Sequence, residues 1–130
     1  MNSKRARIIV LTGPESTGKT TLCRMLAEHY KEPWVPEFAR EYLHERDGIY
    51  SESDLREMAK GHLQSIYDYW PKADKFLFVD TDLWNYVVWA NFKYGRVDPF
   101  IDGSAKLHPA SYYLLCGLDP LWEEDPLREN

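Results

Sequence analysis

The sequence is poor in cysteine and in long apolar runs, and each shortage argues against a class of protein. Its 130 residues include only two cysteines, Cys23 in a helical pattern and Cys116 in an apolar stretch. We expect both to be small core residues and not a disulfide or a metal pair. No apolar run is long enough to span a membrane, and none resembles a secretory signal. These shortages predict a cytoplasmic protein that does not contact a membrane.

Positive charge is also scarce. Lysine and arginine number 16 against 21 aspartates and glutamates, which gives a net charge of −5. The one short basic segment, residues 4–7, precedes the first predicted strand, where we expect it to aid solubility. An acidic chain without a basic stripe argues against nucleic-acid binding. The histidines have no metal-ligand spacing, and we expect all four to be structural or on the surface: His29, His44, His62 and His108.

The chain does have a phosphate-binding pattern. Residues 13–20 fit G-x-x-x-x-G-K-[ST] at every fixed position. An apolar, β-branched stretch at 8–11 precedes the pattern and predicts a buried strand. Residues 21–30 follow it and predict an amphipathic helix, because apolar residues recur there at helical spacing: Leu22, Met25, Leu26 and Tyr30. Strand, glycine loop and helix form the arrangement that binds nucleotide phosphates.

Each fixed position of that pattern has a chemical task. The glycines let successive backbone N–H groups face one anion, and the helix N-terminus adds partial positive charge. Lys19 brings a mobile charge to the β- and γ-phosphates, and Thr20 offers a hydroxyl to Mg²⁺. We therefore expect ATP and Mg²⁺ as cofactors. The expected ATP-binding residues are Gly13, Glu15, Ser16, Thr17, Gly18, Lys19, Thr20 and Thr21.

Further strands and helices alternate after the loop. Strands are predicted at 34–35, 76–79 and 111–116, and helices at 37–43, from 51 to just before Pro71, from 83 to about 94, and from 98. Repeats, low-complexity tracts and Gly/Ser linkers are absent. We therefore predict one α/β domain over residues 1–130, a P-loop NTPase three-layer sandwich with a mostly parallel sheet.

Acidic residues follow the predicted strands, at the edge where such sheets bind ligands. Asp80 ends an apolar strand, as expected for a carboxylate that helps to hold Mg²⁺. Asp82 either belongs to the site or caps the next helix. Glu37 follows the second strand and is the expected base for an attacking hydroxyl. Asp119, after the last strand, falls on the same edge.

Two further side-chain types are candidates for the acceptor site. Arg40 lies one turn after Glu37, where it either holds a phosphate, orients Glu37, or forms a surface salt bridge. The helix after Asp82 is rich in aromatic residues, most of which we expect in the core. Trp84 or Tyr86, near its start, could stack on a flat acceptor ring.

Four blocks of the sequence together resemble the NadR-type family of P-loop kinases: residues 13–22, 34–43, 78–83 and 122–128. The resemblance implies ATP-dependent phosphorylation of the 5′-hydroxyl of nicotinamide riboside, a step of NAD salvage. It implies that residues 13–20 hold ATP and Mg²⁺, and that Arg128 belongs to a lid over the phosphates. It also implies that Glu37, Arg40, Asp80 and Asp82 face the acceptor and the metal.

The sequence departs from that family in three ways. Pro36 stands where the family has a tryptophan before the glutamate, which leaves another riboside or a vitamin-like acceptor open. Only 12 residues precede Gly13, so we expect the adenylyltransferase reaction of the family not to be encoded here. The family continues beyond residue 130 through a basic lid, a last strand and a last helix. We therefore expect a truncated sheet with a bare edge and an exposed apolar face, with weak stability or homo-oligomer formation and low activity.

Two other interpretations of the loop stay open. One is a nucleotide-binding regulator without an acceptor, and the other is a partial binding module. The sequence has no Asn-Lys-x-Asp stretch for guanine and no Leu-Ser-Gly-Gly signature. These absences favour a kinase that acts on a small, nucleoside-like molecule.

Overall fold

A computed structural model of the chain describes residues 5–13, 18–107 and 110–116. Its centre is a sheet in which every described strand pairs in parallel, in the order β2-β3-β1-β4. The strands are β1 (Arg7–Thr12), β2 (Trp34–Val35), β3 (Phe76–Asp80) and β4 (Tyr112–Leu115). The predicted parallel α/β fold is confirmed, with the strand limits within one residue of the expected ones.

Helices form the connections between these strands. They are α1 (Lys19–Tyr30), α2 (Phe38–His44), α3 (Glu52–Tyr69), α4 (Trp84–Tyr94) and α5 (Pro99–Leu107), with a short 3-10 turn at Trp70–Lys72. The local signals for their ends are those expected from sequence. The Asp54 carboxylate accepts the Ser51 backbone N–H at 2.8 Å at the start of α3. Gly95 ends α4 in the left-handed conformation, with φ of 68°.

The helices lie on both faces of the sheet, which is the predicted three-layer arrangement. Against α1 the buried residues are Leu11, Cys23, Ala27, Phe78 and Cys116. Against α3 they are Ile8, Val10, Val35, Ile66, Leu77 and Val79. A separate cluster joins helices α2 to α5 to one another. Both cysteines are buried and free, as expected.

The inner face of α1 differs from the apolar stripe read from sequence. Leu22, Met25 and Tyr30 are exposed, Met25 by 57%. The buried residues are instead Lys19, Cys23 and Ala27. Side chains four residues apart share a helix face. Because Lys19 points inward, Cys23 and Ala27 also point inward. The phosphate loop, and not the apolar pattern, therefore sets the rotation of this helix.

The strand β4 lies at one end of the sheet order and presents an apolar surface. All four of its residues are exposed, Leu115 by 58%. Among the described strands it pairs with β1 alone. This agrees with the expected exposed apolar edge.

Across the described ranges, no helix combines the length and the apolar character needed to cross a membrane.

Candidate functional site

The residues that follow the strands meet at one edge of the sheet. Parallel pairing places Gly13 after β1, Glu37 soon after β2 and Asp80 at the end of β3. Cys116 follows β4, and its backbone N–H donates to Thr12 O at 2.8 Å. The carboxyl ends of parallel strands are where such sheets bind ligands, so the predicted edge is the candidate site. Asp119 and Arg128 lie outside the described residues.

Two glycines of the phosphate loop have conformations that only glycine adopts easily. Gly13 has φ of 138°, and a Cβ there would come within 2.6 Å of the carbonyl oxygen of Cys116. Gly18 has φ of 76° and precedes α1. The sequence pattern therefore reflects both backbone torsion and close approach to the neighbouring strand. Glu15, Ser16 and Thr17 lie outside the described residues.

The loop lysine is directed inward. Lys19 is 5% exposed, and its Nζ donates to the Gly13 carbonyl oxygen at 3.2 Å. The ammonium group of Lys19, which follows the loop, therefore reaches Gly13, where the loop begins. An anion bound between these two residues would contact the ammonium group. Thr21, also expected at ATP, lies exposed on the first turn of α1.

Thr20 and Asp80 form the closest polar contact of the site. The Thr20 hydroxyl donates to Asp80 Oδ2 at 2.6 Å, and the Thr81 hydroxyl donates to Oδ1 at 3.3 Å. Asp80 is fully buried. Thr20 Oγ1 also accepts a hydrogen bond from Arg40 at 3.2 Å. A hydroxyl and a carboxylate in contact supply the oxygen ligands that Mg²⁺ prefers, so the predicted pair fits that ion.

Glu37 and Arg40 join this cluster from the other side. Their charged groups lie 3.6 Å apart, and the Glu37 side chain is 14% exposed. The predicted one-turn spacing therefore does bring them together. A cavity of about 340 Å³ opens over the group, and its lining residues are Thr20, Pro36, Glu37, Arg40, Glu41, His44 and Asp80.

Asp82 and Trp84 lie at a different opening. They line a cavity of about 400 Å³ together with Thr12, Gly13, Asn85, Val88 and Leu115. Burial raises the pKa of Asp82, while hydrogen bonds from the backbone N–H groups of Trp84 and Leu83 act against that rise. The residue at the N-cap position of α4 is Leu83, and no side-chain hydrogen bond caps the helix there. Asp82 and Trp84 are therefore not part of the cluster around Glu37.

Tyr86 is a core residue with an unusual hydroxyl. Its ring is almost fully buried and stacks on Trp89 with centroids 5.9 Å apart. Within the described residues its hydroxyl has no hydrogen-bond partner. Burial raises the pKa of Tyr86, and the negative charge of Glu37 raises it further. The ring is packed in the core in this structure, so it is not open for stacking on an acceptor.

Sequence reasoning missed the importance of His62. This side chain is fully buried on α3, and it hydrogen-bonds backbone groups beside both Glu37 and Asp80. Burial lowers its pKa, although the Thr81 backbone and the Asp80 charge act in the opposite direction. A signal was available, because His62 lies four residues from Met58 and from Ile66, both on the apolar face of α3.

A family profile described as AAA domain matches residues 8–130. The chain belongs to this AAA domain family. It is 29% identical over 126 residues to the trifunctional NAD biosynthesis/regulator protein NadR of Escherichia coli (strain K12), and equally to that of Salmonella typhimurium. Each match covers 94% of this chain and 31% of the relative, so the chain spans about a third of their length.

Solved structures agree with the sequence matches. A crystal structure of NadR protein in complex with NR superposes with a TM-score of 0.76 at 26% identity, over 85% of this chain and 33% of that one. NadR in complex with NAD and AMP-PNP gives 0.72 at 26% identity, over 85% and 34%. Thymidylate kinase from Ehrlichia chaffeensis gives 0.60 at 19% identity, over 88% and 72%, and shows the fold alone. The P-loop α/β fold and the resemblance to NadR-type proteins are confirmed.

Proposed function

We propose that this protein transfers the γ-phosphoryl group of ATP to the 5′-hydroxyl of nicotinamide riboside. One observation carries the proposal: Glu37, Arg40, Thr20 and Asp80 line a single cavity next to the phosphate loop. A carboxylate, a guanidinium and an oxygen pair for a cation are the groups that phosphoryl transfer to a hydroxyl needs. The bound NR in a solved relative supports the choice of acceptor.

In this proposal the phosphate loop binds ATP. The N-terminus of α1 and the Lys19 ammonium supply positive charge at the opening of the loop. Lys19 is already held within 3.2 Å of the Gly13 carbonyl oxygen, so little side-chain freedom is lost when a phosphate replaces that contact. We propose that the expected loop residues between Gly13 and Gly18 also bind ATP: Glu15, Ser16 and Thr17.

Thr20 and Asp80 are the residues that would hold Mg²⁺. When bound, this ion supplies positive charge that offsets the charge of the phosphate oxygens. Asp80 is fully buried and receives two hydroxyl hydrogen bonds. These hydrogen bonds hold the carboxylate beside Thr20, which supports its proposed role as a cation ligand.

Glu37 is the proposed base. The acceptor hydroxyl oxygen forms a bond to the γ-phosphorus while the bond to the bridging oxygen of ADP breaks, and the hydroxyl proton passes to the Glu37 carboxylate. Arg40 lies 3.6 Å from Glu37 and also contacts Thr20. It can therefore orient the base and neutralise charge on the transferred group.

Pro36 lines the cavity directly before Glu37. A pyrrolidine ring presents a smaller and less polarisable surface to a flat ring than an indole does. This position therefore favours a second candidate, a kinase of the same chemistry that acts on a different riboside. The acceptor specificity needs a direct comparison of ribosides.

The test is phosphorus NMR of the protein with ATP, Mg²⁺ and nicotinamide riboside, beside a sample without riboside and samples with other ribosides. We expect a new phosphomonoester signal that grows with ADP only when nicotinamide riboside is present. Growth with another riboside alone would identify the second candidate. Free phosphate in every sample would indicate an ATPase or regulator and would contradict the proposed transfer.

A further inference from the structure

His62 is a polar residue at the centre of an apolar helix face. It lies on α3 between Met58 and Ile66, which are both buried, and its own side chain is fully buried. A polar ring in such a place is unfavourable unless its nitrogen atoms are hydrogen-bonded. An apolar side chain would fill the position without needing hydrogen bonds. The presence of a histidine here therefore calls for an explanation from its hydrogen-bond partners.

The two ring nitrogens bind two separate backbone segments. Nε2 lies 2.8 Å from the Thr81 carbonyl oxygen, and the Phe38 N–H donates to Nδ1 at 3.4 Å. A carbonyl oxygen only accepts and an amide N–H only donates. The partners therefore require the neutral tautomer with its proton on Nε2. Both nitrogens are satisfied, and α3 is joined to α2 and to the end of β3.

The two backbone segments are those that carry the proposed base and the proposed metal ligand. Phe38 directly follows Glu37, and Thr81 directly follows Asp80. Thr81 has φ of 89°, in a region that β-branched residues rarely adopt. Its N–H donates to Leu11 O at 2.9 Å, and His62 binds its carbonyl. Hydrogen bonds to the N–H and to the carbonyl oxygen of Thr81 therefore both stabilise its unusual conformation.

We propose that His62 is a positioning residue that sets the distance between Glu37 and Asp80 through the backbone of Phe38 and Thr81. This inference rests on the proposed phosphotransferase function. The hydrogen bonds of His62 among the described residues go to these two backbone groups and not to the Glu37 or Asp80 carboxylates. Phosphoryl transfer depends on the placement of the attacking hydroxyl relative to the phosphate to within fractions of an ångström. A single buried ring that binds next to both groups can maintain that placement.

Three substitutions separate the two hydrogen bonds. His62→Leu removes both and keeps an apolar side chain in the core. His62→Gln places an amide NH₂ near the former Nε2 and keeps the donor to Thr81. His62→Asn places an oxygen near the former Nδ1 and keeps the acceptor for Phe38. Met58→Leu, one turn earlier on the same buried face, is the matched control because its side chain has no polar contact to lose.

The kinetic readout is the turnover number, calculated per protein molecule that is able to bind ATP. The Kd of ATP in the absence of metal is measured in parallel. For His62→Leu we expect turnover to fall at least tenfold while the Kd changes by less than twofold. The Gln and Asn variants should each recover part of the loss, and Met58→Leu should behave as wild type. Wild-type turnover in His62→Leu would overturn the inference. So would a Kd that rises by the same factor as turnover falls, because a general loss of structure explains that result.

Amide hydrogen exchange at Phe38 gives a readout that does not depend on turnover. Exchange should accelerate in His62→Leu and His62→Gln and stay at the wild-type rate in His62→Asn. If the wild-type protein transfers no phosphate to nicotinamide riboside, the proposed function fails, and the exchange pattern still tests the role of His62. Equal Phe38 exchange in all the variants would overturn that role.

Discussion

Thr20 shows how one side chain can join the parts of this site. Its hydroxyl donates to Asp80 at 2.6 Å and accepts from Arg40 at 3.2 Å. The loop, the end of β3 and the start of α2 are therefore linked through a single oxygen atom. A ligand at this oxygen would have to compete with Arg40 or displace the hydrogen bond to Asp80.

Lys19→Ala removes a buried ammonium group at the phosphate loop. We expect ATP binding to weaken at least a hundredfold, or by about 3 kcal/mol, because a desolvated charge-assisted contact to phosphate is lost. Isothermal titration calorimetry with ATP measures this change. Lys60→Ala, on the exposed side of α3, is the control and should bind ATP as wild type does. Unchanged binding in Lys19→Ala would contradict the assignment of the loop.

Glu37→Gln keeps the size of the proposed base and removes its ability to take a proton. We expect turnover to fall between about 10²- and 10⁴-fold, the usual contribution of a general base, with ATP affinity nearly unchanged. Glu45→Gln, an exposed position at the end of α2, serves as the control. A variant at Glu37 with normal turnover would exclude it as the base.

Asp80→Asn tests the cation site. The amide is a weaker ligand for Mg²⁺ than a carboxylate and no longer carries charge, so we expect a higher Mg²⁺ requirement and at least a tenfold slower transfer. Turnover measured against Mg²⁺ concentration, with metal-free ATP affinity measured in parallel, separates the two effects. Normal turnover at low Mg²⁺ would show that the metal assignment is wrong.

At the scale of the element, Glu32 holds the start of β3 to the end of α1. Its carboxylate accepts backbone N–H groups of Asp74, Lys75 and Phe76 at 2.9, 2.8 and 3.2 Å. Burial acts to raise the pKa of Glu32, and these three hydrogen bonds together bring it below its ordinary value. The charged form is therefore favoured in the folded state.

Glu32→Gln should lower the free energy of unfolding by about 1 kcal/mol at neutral pH, because hydrogen bonds to a charged acceptor are lost. The folded pKa is lowered, so the stabilisation is present above the unfolded pKa of about 4.3 and is lost as pH falls through the folded value. Urea unfolding at pH 7 and pH 3 measures the difference. Glu28→Gln, exposed on α1, is the control, and an equal loss at both pH values would contradict this account.

At the scale of the whole molecule, one group of exposed apolar residues lies on α4 and β4. Val88 of α4 and Leu115 of β4 line the same opening, and Phe92, one turn after Val88, is 92% exposed. The helix and the edge strand therefore both contribute exposed apolar side chains beside this opening. Surfaces of this kind promote association and bind apolar dyes.

The double substitution Val88→Ser with Phe92→Ser should reduce the fluorescence of a bound apolar dye by at least half and lower self-association. We expect the free energy of unfolding to change by less than about 1 kcal/mol, since both side chains are exposed. Dye titration and analytical ultracentrifugation measure the two effects. Leu107→Ser, exposed on α5, is the control, and equal dye binding in both variants would place the surface elsewhere.

The sequence alone determined the phosphate-loop pattern, the parallel α/β fold and the residues at the candidate edge of the sheet. It did so because these features follow from local chemistry. Gly13 and Gly18 are needed for backbone torsion, apolar runs predict the strands, and parallel strands align their carboxyl ends. For the same reason, the sequence pattern is sufficient to place Glu37 and Asp80 near the loop.

Only the tertiary structure decided which side chains meet. It turned Cys23 and Ala27 inward in place of Leu22 and Met25, separated Asp82 from Glu37, and buried His62 between two backbone segments. Helix rotation and the pairing of distant segments depend on contacts far apart in sequence, so spacing alone does not reveal them. Local pattern placed the residues on one edge, and long-range packing chose which of them form the candidate site.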